Sequence, residues 1–288
     1  MRSFKLKTEV KISKLDSLCG PETVVAGIGS CFAQDMLDRL FSAGFKGMSN
    51  PNGIVYNAVS IAETIARAVD NVPYCADDFF EFNGKWRSWG HHGSFADASR
   101  ENAVSKANES TRAFRDILAR CDLFVFTPSS SVVYEHMPEK RIVANCHKVP
   151  NKEFNRRLLS VDENFAALSG SMEKIMDFNP GCRVLVTLSP VRHYPGELPL
   201  NARSKAQLLS AIGMCLDKFA ALSYFPSYEI LTDELRDYRF YKDDMLHPSE
   251  LARSIIFEKF LDAFFADSAK EKIALEQKRL NLQNHIQK

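Results

Sequence analysis

The sequence lacks the features that mark several large classes of protein. No apolar run approaches the roughly 20 residues that a membrane-spanning helix needs, and the first 20 residues have no apolar centre of the kind found in secretory signals. The formal net charge is only +1, so there is no basic surface signal for nucleic acid or for a membrane. We therefore expect a cytoplasmic protein that binds neither.

Patterns for metal sites and disulfides are also missing. The seven cysteines form no C-x-x-C pair, which favours reduced and mostly buried thiols. The histidines show no H-E-x-x-H or comparable ligand spacing. We expect no metal site and no organic cofactor.

What remains is the composition of an ordinary globular protein, with 288 residues of which 45% are hydrophobic and 25% charged. We expect one main domain over residues 1–266 and a charged helical tail over residues 267–288. The tail is rich in helix formers, but its apolar residues are only loosely spaced. We expect a solvated helix outside the core, with a homodimer through this helix as one arrangement.

The stretch VVAGIGSCFAQD, residues 24–35, predicts a strand, a tight turn and a helix. Ser30 stands at the joint, where a hydroxyl and the positive end of a helix suit a nucleophile and its oxyanion. A plain helix cap explains the same serine, and this stretch alone favours the cap. Two rival motifs fit poorly, because Phe32 replaces the third glycine of G-x-G-x-x-G and the order of residues departs from G-x-S-x-G.

Strands and helices alternate along the chain, which predicts a parallel sheet with helices on both faces. The predicted strands after the first are 45–49, 122–127, 183–188 and 228–231, and the predicted helices after the first are 58–69, 101–119, 154–178, 202–222 and 250–265. In such sheets, ligands bind outside the carboxyl ends of the strands. Ser30, the turn 128–131 and the turn 189–193 should therefore lie at one edge.

The stretch DDMLHPS, residues 243–249, precedes the last core helix. Asp244 can fold back to the imidazole of His247 and fix the tautomer that acts as a base. The alternative is that these residues only start the helix, since Asp, Pro and Ser favour helix N-termini and Pro248 suits the first turn. Together with Ser30, however, the pair makes a Ser, Asp, His set, and this combination favours chemistry.

Several long motifs resemble the GSCFA family, which is usually placed beside the SGNH, or GDSL-like, hydrolases. They are GSCFA at 29–33, NPNGIVYN, NCHKVP, SPVRH, SKA, YFPSYEI, DELRDYRFY and DDMLHPS. The resemblance covers the chain to about Phe265. It implies a flavodoxin-like, three-layer α/β fold and ester hydrolysis or acyl transfer.

The resemblance also implies roles for individual residues. Ser30 matches the nucleophile, Asp244 and His247 match the D-x-x-H of the last block, and Gly53 matches a glycine whose N–H enters the oxyanion hole. The third block departs from the pattern, since TPSSS replaces G-x-N-D and removes the asparagine donor. Ser129, Ser130 and Asn145 are the candidate replacements. Of these, we expect Ser129 to join Ser30 and Gly53 in the oxyanion hole.

We expect a serine esterase or O-acyltransferase that acts on an O-acyl ester, with carbohydrate esters as one candidate class. The expected substrate-binding residues are His91, His92, Asn145, His147, Arg192 and His193. For at least one of His91 and His92, ring packing is the plain alternative, and Arg192 equally suits a brace for the catalytic loop. A noncatalytic module that binds a carbohydrate or small molecule is the alternative function.

Overall fold

A computed structural model describes residues 7–193 and 197–286 of the chain. Its strands are β1 (Val25–Gly29), β2 (Gly47–Ser49), β3 (Phe80–Phe82), β4 (Lys85–Arg87), β5 (Leu123–Thr127), β6 (Val132–His136), β7 (Arg141–Val143), β8 (Phe154–Leu158), β9 (Arg183–Val186) and β10 (Ser223–Tyr224). Five of them form a parallel sheet in the order β10-β9-β5-β1-β2. Counted along the chain, this is the order 2-1-3-4-5 of flavodoxin-like folds.

Helices connect these strands. They are α1 (Cys31–Ser42), α2 (Ala58–Val69), α3 (Arg100–Leu118), α4 (Val161–Phe178), α5 (Leu198–Lys218), α6 (Ser227–Glu229), α7 (Glu250–Phe264) and α8 (Asp267–Ile286). Short 3-10 turns occupy Ala76–Asp78, Gly93–Phe95, Asn151–Glu153 and Tyr238–Phe240, and a π-helical turn, Ile230–Leu235, extends α6. Within the described ranges, no helix combines the length and apolar character that crossing a membrane requires.

The pleat of the sheet divides the core into two layers. Alternate strand residues such as Val25 and Val125 pack against a cluster that includes residues of α1 and α7. Their neighbours, such as Ala26 and Phe124, pack against a cluster that includes residues of α2, α4 and α5. Successive side chains of a strand point to opposite faces, so fully buried strands supply both layers. The predicted three-layer α/β fold is confirmed.

Two predicted elements are wrong. Residues 154–178 are not one helix, because FNRRL forms β8 and pairs with β6, while α4 begins after a capping box made by Ser160 and Glu163. Residues 228–231 are not a strand, because they lie in a helical segment and β10 precedes them at Ser223–Tyr224. A segment as short as YEIL does not distinguish a strand from a turn of helix.

The tail forms the expected helix, α8, although residues 287 and 288 lie outside the described part. Its first two turns are not outside the core. Ala269 and Ile273 are buried in the same cluster as Phe265. The Nζ of Lys272 donates to the carbonyl oxygen of Pro21 at 2.7 Å and lies 4.8 Å from the ring centroid of Phe45. The expectation of a fully solvated helix is therefore wrong for these turns.

Candidate active site

Three turns meet at the carboxyl edge of the sheet. The N–H of Ser30, just after β1, donates to the carbonyl oxygen of Thr127 at the end of β5, 3.2 Å away. The N–H of Ser189, after β9, donates to the carbonyl oxygen of Pro128 at 3.0 Å. The parallel register of β1, β5 and β9 thus brings together the turns that the sequence placed at this edge.

The turn before Ser30 depends on a glycine. Gly29 has a φ of +145°, and a Cβ atom there would lie 2.1 Å from the carbonyl oxygen of Thr127. Its N–H donates to the side-chain oxygen of Asn50 at 2.8 Å, and the amide of Asn50 in turn donates to Gln34 of α1 at 2.9 Å. Asn50 therefore links the end of β1 to the first turns of α1.

Ser30 occupies the N-cap position of α1, but its side chain does not cap the helix. The residue is 0% exposed, and within the described residues no hydrogen-bond partner lies near its Oγ. A buried hydroxyl without a partner typically costs about 1–3 kcal/mol. Its position at a helix N-terminus suits a nucleophile whose partner is supplied by a substrate or by a side-chain rotation.

His247 is oriented by Asp244. The Nδ1 of His247 lies 2.7 Å from one carboxylate oxygen of Asp244, whose other oxygen accepts the N–H groups of Leu246 and His247 at 2.9 and 3.0 Å. These N–H groups are the main cause that lowers the pKa of Asp244 to about 2. An ionised carboxylate favours a proton on Nδ1, which leaves Nε2 as the basic nitrogen.

Ion pairs place the loop of His247 beside the helix of Ser30. Asp35 of α1 pairs with Arg253 of α7, and Arg39 of α1 pairs with Glu250 of α7 at 2.5 Å. Asp35 and Arg39 lie on the helix that follows Ser30, and Glu250 and Arg253 lie in the first turn of the helix that follows His247. The structure does not form a hydrogen bond between the two catalytic candidates themselves, since Ser30 Oγ has no partner within the described residues. Such bonds are often long in unliganded enzymes and tighten only with substrate.

Ser129 and His193 form a close contact at the same edge. Ser129 Oγ and His193 Nε2 are 2.5 Å apart. Burial is the first cause that lowers the pKa of His193 to about 3, and the charges of Lys205 and His247 act in the same direction. The imidazole of His193 is therefore neutral at physiological pH.

The N–H groups assigned to the oxyanion hole by resemblance are engaged in backbone hydrogen bonds. Ser30 donates to Thr127, as described above, and Gly53 donates to the carbonyl oxygen of Asn50 at 2.8 Å. Gly53 has a φ of +79°, and a Cβ atom there would lie 2.3 Å from the Cβ of His92. This glycine is thus required by the turn and by its contact with His92.

A cleft of about 420 Å³ opens beside this edge. Three of the predicted substrate-binding residues line it, namely His92, Asn145 and His193. The aromatic rings of Tyr56 and Tyr134 also line it. This mixture of amide, imidazole and aromatic groups suits a polar organic ligand.

The other three predicted substrate-binding residues lie outside this cleft. His91 is 0% exposed and packs against the rings of Tyr74 and Phe95, with centroids 4.6 and 4.8 Å away. His147 is buried, and its Nε2 donates to the carbonyl oxygen of Ser88 at 2.7 Å. Arg192 lies against the ring of Tyr241, with its guanidinium carbon 4.2 Å from the centroid. For His91 the structure matches the plain alternative of ring packing.

Sequence reasoning missed two residues that build this edge. Asn50 has a φ of +48°, and its side chain connects β1 to α1. Lys205 is buried in α5 and donates to the carbonyl oxygens of two of the edge turns. The motifs NPNGIVYN and SKA contained both residues, but nothing in either motif assigned them a partner. In the described part of the chain, no group of three or more His, Cys, Asp or Glu residues is arranged to hold a metal ion.

The model of the GSCFA family matches residues 24–260, which include Ser30, Asp244 and His247. The chain belongs to the GSCFA family. A comparison with curated proteins found no match.

Among solved structures, this GSCFA protein is similar to three esterases. A carbohydrate esterase family 3 structure from Talaromyces cellulolyticus has 11% identity and a TM-score of 0.40, with 89% of this chain and 99% of that chain covered. A carbohydrate esterase family 2 enzyme with a carbohydrate binding domain from Corynascus thermopiles has 10% identity and a TM-score of 0.44, with 87% and 68% covered. An acetyl xylan esterase from Butyrivibrio proteoclasticus has 8% identity and a TM-score of 0.40, with 86% and 64% covered.

Proposed function

We propose that this GSCFA protein is a serine esterase or O-acyltransferase of the SGNH type. Its substrate is an O-acyl ester, and esters of carbohydrates are the class we favour. The observation that carries the proposal is the buried Ser30 hydroxyl without a partner at a helix N-terminus, together with an imidazole oriented by Asp244 at the same sheet edge. This set provides a nucleophile, a base and a group that orients the base.

In the proposed mechanism, Ser30 Oγ attacks the acyl carbonyl while His247 takes the proton of the Ser30 hydroxyl. The electron pair of the C=O bond moves to oxygen, and donors from Ser30, Gly53 and Ser129 stabilise the oxyanion. Collapse of this intermediate breaks the ester C–O bond, and His247 returns the proton to the leaving alcohol. Water or a second hydroxyl then attacks the acyl-enzyme by the same steps in reverse. This chemistry requires neither a metal nor an organic cofactor.

The unliganded geometry demands two adjustments on substrate binding. Ser30 Oγ must approach His247, and the acyl oxygen must compete with the carbonyl oxygens of Thr127 and Asn50 for the N–H groups of Ser30 and Gly53. The cleft lined by His92, Asn145 and His193 is the proposed site for the alcohol part of the ester.

A fluorophosphonate probe followed by peptide mass spectrometry tests the proposal. We expect a covalent adduct on Ser30 in the wild type and none in Ser30→Ala, with strong loss of labelling in His247→Ala. Ser171→Ala is the matched control, because this buried serine is bonded inside α4. Turnover of short-chain aryl esters, with and without alcohol acceptors, then distinguishes hydrolysis from transfer. Full ester turnover in Ser30→Ala would contradict the assignment.

The second candidate function is a noncatalytic module that binds a carbohydrate or another small molecule. The closed state of the site favours it, since Ser30 is fully buried and forms no hydrogen bond with His247. Calorimetry with sugar fragments and their O-acetyl forms distinguishes the two. Binding without any labelling of Ser30 or turnover of an ester would establish the module.

A further inference from the structure

Lys205, on α5, is a lysine whose side chain is buried in the interior of the fold. The residue is 1% exposed, and in the described part of the chain it forms no ion pair with an acidic side chain. Its Nζ donates instead to the carbonyl oxygens of Ser129 and Ser189, each 2.7 Å away. Burial lowers its pKa to about 7. Burying a lysine in such surroundings costs the fold free energy, which makes Lys205 a candidate for a role beyond packing.

The two carbonyl groups that Lys205 joins belong to the turns after β5 and β9. Ser204, the preceding residue, adds a second attachment to the first of these turns. Its hydroxyl accepts the N–H of Ser131 at 2.7 Å, and its carbonyl oxygen accepts the hydroxyl of Ser131 at 2.9 Å. The first half of α5 is therefore bonded to the 128–131 turn at Ser129 and Ser131, and Lys205 also connects this turn to the 189–193 turn.

These turns carry the Ser129 and His193 side chains that meet at 2.5 Å. Ser129 lies two residues after Thr127, whose carbonyl oxygen holds the N–H of Ser30. Ser129 also occupies the part of the chain where the related hydrolases have their asparagine donor. In the tautomer that carries its proton on Nε2, His193 donates to Ser129 Oγ, and the hydroxyl proton of Ser129 is then directed away from His193.

We propose that Lys205 is a positioning residue, which holds both turns so that the Ser129 hydroxyl, supported by His193, donates a hydrogen bond to the oxyanion in place of the missing asparagine. The inference rests on the proposed esterase or acyltransferase function. The step is a hydrogen bond only, because the negative charge of the tetrahedral intermediate stays on the acyl oxygen and no proton leaves Ser129. Lys205 acts through Ser129 and does not touch the substrate.

A mutant cycle on kcat tests the inference. Ser129→Ala is expected to lower kcat by about 10²- to 10³-fold with little change in KM, as for other lost oxyanion donors. Lys205→Met is expected to lower kcat because the Ser129 hydroxyl is no longer held in place. The double variant should therefore be little slower than Ser129→Ala alone. Ser129→Asn is expected to recover much of the activity and to make kcat insensitive to His193→Gln. Lys218→Met, at the far end of the same helix, is the surface control.

Melting temperatures separate this role from a purely structural one. In the double variant, the losses of stability from Lys205→Met and Ser129→Ala should add, while their losses of kcat should not. If Lys205→Met does not fold, Lys205→Gln enters the same cycle, since its amide retains two N–H donors. Multiplicative losses of kcat in the double variant, or normal kcat in Ser129→Ala while Ser30 still reacts with the fluorophosphonate, would overturn this inference alone. Absence of both Ser30 labelling and ester turnover in the wild type would overturn the proposed function and this inference with it.

Discussion

The backbone N–H of Arg192 donates to the carbonyl oxygen of Leu246, 3.0 Å away, and ties the turn after β9 to the residue before His247. The guanidinium of Arg192 lies over the ring of Tyr241, on the segment that leads into the same loop. Both contacts brace the loop that carries Asp244 and His247. Of the two roles considered for Arg192, the brace therefore explains its position better than direct binding of the substrate.

Arg192→Ala should depress the melting temperature and lower kcat, while KM changes little. The backbone bond to Leu246 survives the substitution, so the loss is limited to the cation–π contact with Tyr241, about 0.5–2 kcal/mol. Arg239→Ala is the control, because Arg239 makes a similar contact with Phe240 at the surface. Steady-state kinetics and thermal melts measure both effects. A raised KM with an unchanged melting temperature would instead indicate that Arg192 binds substrate.

Asp244→Asn should reduce ester turnover far more than Asp243→Asn. The carboxylate of Asp244 accepts hydrogen bonds from the imidazole of His247 and from two backbone N–H groups. Among the described residues, no hydrogen bond joins Asp243 to His247. Because the pKa of Asp244 is held at about 2, its carboxylate stays ionised over the working range of pH, and the asparagine loses that charge. Values of kcat/KM for the two variants on one aryl ester test this prediction. A greater loss in Asp243→Asn would show that Asp243, and not Asp244, orients His247.

Gly29→Ala should destabilise the fold by at least about 2 kcal/mol and abolish activity. The new methyl group would overlap the backbone of Thr127, and a φ of +145° is strained for any residue with a Cβ atom. Gly213→Ala in α5 is the matched control. Its Cβ meets nothing within 4 Å, so this change should stabilise the helix by about 0.5–1 kcal/mol. Denaturant unfolding measures both, and a Gly29→Ala protein of normal stability would contradict the geometry.

His91→Phe should keep esterase activity and reduce the sensitivity of the fold to acid. Burial is the main cause that lowers the pKa of His91 from 6.5 to about 3, so the unfolded chain binds the proton more readily between these values. The stability of the wild type therefore falls as pH drops from 6.5 towards 3, by up to about 1.4 kcal/mol per pH unit from this residue. Phenylalanine removes that loss and the two imidazole nitrogens that lack partners within the described residues. Unfolding curves at pH 7 and pH 4.5 measure the change. An unchanged pH slope would refute the assignment, and a loss of ester turnover would restore a substrate role for His91.

Truncation should divide α8 into two parts. Removal of residues 267–288 deletes the buried Ala269 and Ile273 and the contacts of Lys272, and should cost about 2–5 kcal/mol. Removal of residues 279–288 should leave stability within about 0.5 kcal/mol. Light scattering on the same two proteins tests the homodimer proposed for this helix. Equal stability of the two truncated proteins would show that the first turns contribute nothing to the core.

Local patterns predicted the elements whose signals lie within a short stretch of chain. Helix α2 was predicted with its observed bounds, because its apolar spacing is regular, and in the structure Asn57 caps it by accepting the N–H of Ser60. The strand, turn and helix around Ser30 were predicted for the same reason. The strand β8 was missed because β7 and a loop separate it in sequence from its partner β6, and FNRRL by itself continues into a helical pattern.

The site was predictable where neighbours in sequence are neighbours in space. Asp244 and His247 are three residues apart, so their contact followed from a compact turn. Ser129 and His193 are 64 residues apart, and Lys205 is 76 residues from Ser129. No periodicity or spacing encodes such pairs, because they arise only when parallel strands come into register. The burial of His91 and His147 was equally hidden, since the rings and carbonyl groups that enclose them come from several loops.

The ion pairs between α1 and α7 join two segments that are translated far apart in time. Asp35 leaves the ribosome 218 residues ahead of Arg253, its partner. The apolar side of α1, with Phe32, Met36 and Leu40, belongs to the cluster that α7 completes. A nascent chain that ends at α5 contains four of the five strands of the main sheet, yet the flank that α7 covers is still exposed and the proposed base, His247, is not yet translated. The proposed activity should therefore appear only after α7 has been made and has covered this flank of α1.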